Sequence, residues 1–178
     1  MSSSLVQVYF GDGKGKTTAA VGQAVRAAGQ GMRVCFVQFM KDVSFPIGER
    51  NSLKSLSRNI RVIVHEYPED LYVDFRVTDL ERFAEHVNHF LETVELIARS
   101  GQFDLLVLDE LGAVLKLGLV SEARVLDLLK SRSSELDVVL TGRNFPQEIP
   151  DFADLVTEFK KIKHPFDRGL PARKGIEY

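Results

Sequence analysis

The residues best suited to chemistry lie in one short stretch, Gly11-Asp12-Gly13-Lys14-Gly15-Lys16-Thr17-Thr18. Its glycines let consecutive backbone amides turn toward a single anion without Cβ clashes. Lys16 supplies a mobile positive charge for phosphate oxygens, and Thr17 a hydroxyl able to ligate Mg2+. The stretch follows the β-type run Leu5–Phe10 and precedes Thr17–Gln30, whose alanines and valines recur at helical spacing. A strand therefore enters the loop and a helix leaves it, and the helix N-terminus adds its own partial positive charge. This is the pattern of a P-loop, G-x-x-x-x-G-K-[ST], with Phe10 standing where the first glycine would be. The whole stretch Gly11–Thr18 is read as the cradle of a nucleoside triphosphate.

Further along, the apolar run Leu105-Leu106-Val107-Leu108 ends in Asp109-Glu110. In a parallel sheet the carboxyl ends of the strands gather on one edge, where the P-loop also lies. An acid there can bind Mg2+ directly or through water, which makes Glu110, with Asp109 as its neighbouring alternative, the partner of Thr17 in a metal site. Val138–Leu140 is another strand, followed by Thr141-Gly142-Arg143, and the Arg143 guanidinium suits phosphate oxygens on the same edge. These parts specify ATP or GTP with Mg2+, and the lack of an Asn-Lys-x-Asp guanine signature favours ATP. They leave the reaction open. A kinase or ATPase acting at the γ-phosphate and a non-catalytic ATP-binding interaction module are both compatible with them.

The elements that must position these residues read as an α/β protein. Strands are expected at Leu5–Phe10, Arg33–Phe39, Ile60–Val64, Phe103–Leu108, Val138–Leu140 and Asp154–Phe159. Between them, Thr78-Asp79-Leu80-Glu81 reads as a capping box opening a helix with Leu80, Phe83, Val87, Leu91, Val94 and Ile97 on one face. Ser121 is expected to cap a second amphipathic helix over Ser121–Arg132. Asp42–Ser57 reads as irregular, His65–Val77 as a surface loop, and the basic tail Lys160–Tyr178 as lacking regular structure. His86 and His89 read as ordinary surface or boundary residues. The 178 residues fit one domain, 1–178, and a 44% hydrophobic content is ordinary for a globular chain. A net charge of −2 argues against bulk capture of nucleic acid or of an anionic membrane. The lone Cys35, set in an apolar run, reads as a buried small hydrophobe. No signal peptide or membrane span is evident, so a cytoplasmic location is expected.

With these pieces in order, the chain resembles the CobA-type ATP:corrinoid adenosyltransferases, also called cob(I)alamin adenosyltransferases. The resemblance spans nearly the whole chain. It runs from Gly11–Ala20 through Arg26-Ala27-Ala28-Gly29, Val37-Gln38-Phe39 with Lys41, and Gly48-Glu49. It continues with Leu108–Leu111, Leu140–Arg143, Ala153–Glu158 and Lys163–Phe166, and closes at Gly175-Ile176-Glu177-Tyr178. The family, too, has a non-glycine residue at the Phe10 position. The resemblance implies a RecA-like P-loop fold, a mostly parallel central sheet flanked by helices, and a homodimer. It implies transfer of the 5′-deoxyadenosyl group of ATP to Co(I) of a reduced corrinoid, with release of triphosphate. Cobalt is then the nucleophile, and no side chain need act as general acid, base or nucleophile. The resemblance also implies a triphosphate that lies reversed in the P-loop relative to ordinary ATPases. The resemblance carries over Thr17 and Glu110 as Mg2+ ligands and Arg143 as a nucleotide contact, with Gln38, Lys41 and Glu49 as site-lining candidates. The implied partners are ATP, a reduced cobalamin or cobinamide, and a flavoprotein reductase.

One segment departs from the family. Where members commonly carry a Gly-Phe-Thr-Trp stretch, whose aromatics help displace the lower axial ligand of cobalt, this chain has His65–Tyr72 and no tryptophan. Tyr67, Tyr72 and Phe75 are the aromatic candidates for that task.

Overall fold

The central strands carry apolar side chains on both faces, as a sheet covered on two sides requires. The computed structural model describes residues 4–41, 46–73 and 76–177. Its strands are β1 (Val6–Phe10), β2 (Val34–Gln38), β3 (Ile60–Val64), β4 (Tyr72–Val73), β5 (Arg76–Val77), β6 (Leu105–Asp109), β7 (Asp137–Thr141) and β8 (Leu155–Glu158). Its helices are α1 (Lys16–Gly29), α2 (Gly48–Leu56), α3 (Leu80–Arg99), α4 (Leu111–Lys116), α5 (Glu122–Ser131) and α6 (Glu148–Phe152). Six strands form one sheet in the order β3-β2-β6-β7-β1-β8, and β4 pairs with β5 in a small antiparallel ribbon. Every pairing in the large sheet is parallel. β7 lies between the strand that enters the phosphate loop and the strand that ends in Asp109, the arrangement of a RecA-like P-loop fold.

Side-chain alternation decides what covers each face. Val34, Phe36, Leu105, Val107 and Val139 meet Ala20, Ala24, Ala27 and Ala28 of α1 and Leu53 of α2. The small alanines let α1 lie close to the sheet, which holds its N-terminus over the strand ends. On the other face Cys35, Val37, Leu106, Leu108, Val138 and Leu140 meet Phe83, Val87, Leu91 and Val94 of α3 and Val125, Leu128 and Leu129 of α5. Each large side chain buried there contributes about 1.5–3 kcal/mol. Cys35 is buried, and burial pushes its thiol up to about 12.

Several elements differ from the sequence expectation. Residues 48–56 are helical, not irregular; α2 buries Leu53 as its one apolar core residue, so no stripe of period 3.6 announces it. Asp42–Phe45, the start of that stretch, lies outside the described residues. The cap of α3 is shifted by one position. Asp79 accepts from the Arg82 amide at 3.1 Å, whereas the Thr78 hydroxyl donates to the Asp70 carbonyl of the preceding turn. The 65–77 segment is not a solvated loop, because His65 and Leu71 are buried against the core. Short elements α4 and α6 and a 3-10 turn at Pro165–Arg168 were also not legible. The Ser121 cap is as expected, accepting from the Arg124 amide at 3.3 Å.

Register sets up the site. Gln38 pairs with Val64 on one side and Asp109 on the other, Tyr9 with Thr141, and Phe10 with Glu158. The carboxyl ends of all these strands therefore finish on one edge.

Candidate functional site

The phosphate loop is built around backbone that only glycine permits. Gly11 and Gly15 have φ values of 112° and 118°, where a side chain is strained. Gly13 is held for a different reason: its amide donates to the Phe159 carbonyl at 2.6 Å, and a Cβ on Gly13 would fall 2.6 Å from that same oxygen. The Gly11 amide donates to the Arg143 carbonyl at 3.0 Å. The loop thus rests on the chain leaving β7 and β8 and turns its other side to the cavity. Lys16 arches over it and donates from Nζ to the Gly11 and Gly13 carbonyls, each at 2.7 Å. Burial lowers the Lys16 pKa, opposed by the Glu110 carboxylate and reinforced by the Arg143 charge.

Below the loop, Asp109 is fully buried and fully engaged. Its Oδ1 accepts from the hydroxyls of Thr17 and Thr141, both at 2.8 Å. Its Oδ2 accepts from Lys41 Nζ at 2.8 Å and from Gln38 Nε2 at 3.4 Å. Lys41 also pairs with Glu49 at 3.1 Å. Burial works against the Lys41 charge, but the Asp109 and Glu49 carboxylates outweigh it and hold the pKa above the usual lysine value. Gln38 is buried and is not among the linings of the three cavities described below; it bridges Glu49 and Asp109 and accepts from Arg50 Nε at 2.7 Å. Even-numbered positions of β2 point to the α1 face, and at the strand end that side is filled by the α2 side chains, so Gln38 stands behind the walls of these cavities and holds Glu49, Asp109 and Arg50. Arg50, which also donates to the Lys41 carbonyl at 3.0 Å, went unnoticed because α2 did.

Glu110 differs from its neighbour. It sits at φ 63°, ψ 21°, a left-handed conformation uncommon for glutamate, with its amide donating to Thr141 Oγ1 at 3.0 Å. Such a conformation costs on the order of 1–3 kcal/mol and collects at functional sites. It turns the side chain out of the Asp109 cluster and into the cavities. Burial raises the Glu110 pKa, the Asp109 charge raises it further, and Lys41, Lys16 and Arg143 pull it back.

Three cavities meet here. One of about 280 Å³ is bounded by Asp12–Thr18, Glu110 and Arg143, with Ile176 and Glu177 opposite. The next, of about 530 Å³, includes Thr17, Thr18, Lys41, Glu49, Glu110 and Gly175. The third, of about 770 Å³, is bounded by Met40, Lys41, Tyr72, Glu110 and Arg143 among others. Glu110 lines all three, Lys41 the larger two, and Arg143 the first and third. The tail is part of these walls. Lys14, a cradle residue in the sequence reading, donates to the Ile176 carbonyl at 2.8 Å and pairs with Glu177 at 3.1 Å. Hydrogen bonds from Arg173 and Lys14 hold the Glu177 carboxyl down to about 2.

The aromatic candidates separate. Tyr72 lines the third cavity and stacks on Phe83 at 6.0 Å. Tyr67 packs edge-on to Phe83 at 4.9 Å and beside His65, and is not among the linings of these three cavities. Phe75 lies outside the described residues. His65 is enclosed by Phe39, Tyr67, Phe83 and Phe90, and burial lowers its pKa to about 4, so it is neutral at physiological pH.

In sum of chemistry, the edge offers a polyanion cradle, oxygen donors for a hard cation, and an adjoining apolar-walled cavity that shares Glu110, Lys41 and Arg143 with it. Residues 2–178 match the sequence model of a family described as ATP:corrinoid adenosyltransferase BtuR/CobO/CobP. The corrinoid adenosyltransferase of Escherichia coli (strain K12) is 34% identical over 174 residues, covering 98% of this chain and 85% of that one. The corrinoid adenosyltransferase CobA of Salmonella typhimurium is 35% identical over 183 residues, again covering 98% and 85%. That of Pseudomonas aeruginosa is 32% identical over 171 residues, covering 96% and 82%.

Proposed function

The chain belongs to the ATP:corrinoid adenosyltransferase family, and from that premise we propose how its own residues carry out the reaction. The protein transfers the adenosyl group of ATP to a corrinoid. In the proposed step a cobalt–carbon bond forms to C5′ of the ribose and the C5′–oxygen bond breaks. Reduced cobalt supplies the electron pair of the new bond, and the pair of the broken C5′–oxygen bond leaves with the triphosphate. Gly11–Thr18 cradle that triphosphate, Lys16 exchanges its loop carbonyls for phosphate oxygens, and Arg143 adds a second cation at the leaving group. The protein's contribution is then positioning and fixed charge rather than proton transfer.

The donor set suits Mg2+. Thr17 and Glu110 are hard oxygen donors, and burial, with the Asp109 charge beside it, raises the Glu110 pKa, so a bound cation would stabilise its charged form. Bound there, Mg2+ would neutralise phosphate charge as it builds on the leaving group. Asp109 stays beneath as the acceptor that fixes Thr17 and Lys41. Tyr72 supplies the aromatic wall on the corrinoid side.

The single observation that supports this reading is that the cradle cavity and the third cavity share Glu110 and Arg143 as walls, so that a triphosphate in one and a macrocycle in the other would be neighbours. The chain acts as one domain. A second copy covers the exposed edge strand β8, where Leu155 and Val156 stand with Ile162 and Phe166 in solvent. A flavoprotein reductase delivers the corrinoid in its reduced state. Among the described residues no helix is long and apolar enough to cross a membrane, and the cytoplasm is the proposed compartment. An anaerobic assay with ATP, Mg2+ and chemically reduced cob(I)alamin tests the reaction. Adenosylcobalamin with stoichiometric triphosphate is expected; ADP with an unchanged corrinoid spectrum would replace this reading with a kinase or ATPase, and bound, unconverted ATP with a non-catalytic module.

A further inference from the structure

The far end of the tail touches the phosphate loop through one side chain, and this inference rests on that loop holding the triphosphate of ATP. Residues 169–176 are exposed, and the last of them are folded into a turn of their own. The Arg173 amide donates to the Glu177 carboxylate at 2.8 Å, and Arg173 Nε and Nη2 donate to it at 3.3 Å each. The Ile176 and Glu177 amides donate back to the Arg173 carbonyl at 3.2 and 2.9 Å. Among the described residues, the hydrogen bonds that join 171–177 to the rest of the chain all come from Lys14. Its Nζ donates to the Ile176 carbonyl at 2.8 Å and to Glu177 Oε1 at 3.1 Å. The contact lies at the nucleotide site. Ile176 and Glu177 line the cradle cavity together with Asp12–Thr18 and Arg143, and with Gly175 they also line the second cavity.

The Glu177 carboxylate gives Lys14 what a phosphate oxygen would give it, an anionic acceptor for its ammonium. Glu177 and a triphosphate therefore compete for the same cation, and the triphosphate carries the larger charge. Glu177 loses only one of its two cations in the exchange, because Arg173 stays with it in the same turn. The turn can leave the cavity with its own hydrogen bonds intact, at the cost of one partly exposed ion pair and one hydrogen bond to Lys14. We propose that the tail is a latch on the phosphate loop: Glu177 holds Lys14 until a triphosphate takes the ammonium, and the Arg173–Glu177 turn then lifts away as a unit. After transfer the same carboxylate competes with the triphosphate product for Lys14 and favours its departure.

Calorimetric titration of the full chain with inorganic triphosphate and Mg2+, without corrinoid, reads the competition apart from turnover. Glu177→Gln is expected to bind triphosphate about threefold more tightly than wild type, the scale of one partly exposed ion pair. In a Lys14→Gln background the same substitution should change nothing, because the group competed for is gone. Trypsin cleavage after Arg173 or Lys174, followed by mass spectrometry of the released peptide, should quicken in wild type when triphosphate is added. An unchanged or weaker affinity in Glu177→Gln would overturn the latch. A gain of equal size in the Lys14→Gln background would replace it with plain repulsion between carboxylate and phosphates. Unchanged cleavage, or slower cleavage from a tail that closes over its ligand, would also overturn it. Triphosphate that binds to none of these proteins would remove the cradle and the latch together. The expected binding pattern without adenosylated product from ATP and cob(I)alamin supports the latch and faults only the assigned reaction.

Discussion

The two sides of the sheet edge are organised on opposite principles. Beneath the phosphate loop, charges are matched within the protein: Asp109 holds Thr17, Thr141, Lys41 and Gln38, and Lys41 in turn holds Glu49. On the third-cavity side the wall is apolar and Arg76 and Lys116 stand without carboxylates among the described residues. The first arrangement suits a ligand that arrives with its own cation and must be held in one geometry. The second suits a ligand bound by an apolar face. Glu110 belongs to both sides, and its strained backbone and raised pKa are what that position costs.

The sharpest way to break the comparison is to remove the mobile charge from the matched side. Lys16→Ala is expected to lower turnover by on the order of 100-fold or more and to weaken ATP binding. Thermal stability should change little, because Nζ bonds only loop carbonyls. Wild-type ATP affinity in this variant, measured by calorimetric titration, would remove the P-loop from the account.

Next in size is Asp109→Asn. The variant keeps the shape but turns an amide donor toward the Lys41 ammonium, breaking a buried pair at a cost of about 3 kcal/mol in urea unfolding. A cost below about 1 kcal/mol would mean that Glu49 alone satisfies Lys41 and that the side is less tightly matched than described.

The smallest effect sharpens the position of Glu110. Its folded pKa is raised, so its favourable contribution is full below the unfolded value and is lost as pH rises through the folded value. At neutral pH the ionised carboxylate therefore destabilises the ligand-free fold. Glu110→Gln should melt like wild type in acid and above it near neutrality, with the gap opening as pH climbs past the ordinary glutamate range. The same variant should gain less stability than wild type when Mg2+ and ATP are added. A Gln variant that melts below wild type at neutral pH without ligand would show that protein cations already satisfy Glu110.

The sequence by itself determined whatever is local. Strand, glycines and helix follow one another in Val6–Gly29, so this strand–loop–helix unit was legible without the fold, as were the amphipathic α3 and the Ser121 cap. The family followed from the order of its motifs along the chain. Only the tertiary structure decided the division of labour among neighbours. Asp109 and Glu110 are adjacent acids, and which is buried depends on strand parity and a left-handed backbone that no propensity announces. Tyr67 and Tyr72 are similar aromatics that both pack on Phe83, and they are separated by Tyr67 lying also against the buried His65 while Tyr72 borders a cavity. Gln38 went beneath the site because α2, too polar to read as a helix, supplies Glu49 and Arg50 to it. The tail reached Lys14 across the whole length of the chain. Contacts between residues so far apart in sequence are fixed by strand register and by which face a helix covers, and neither leaves a periodic trace in the segment that it positions.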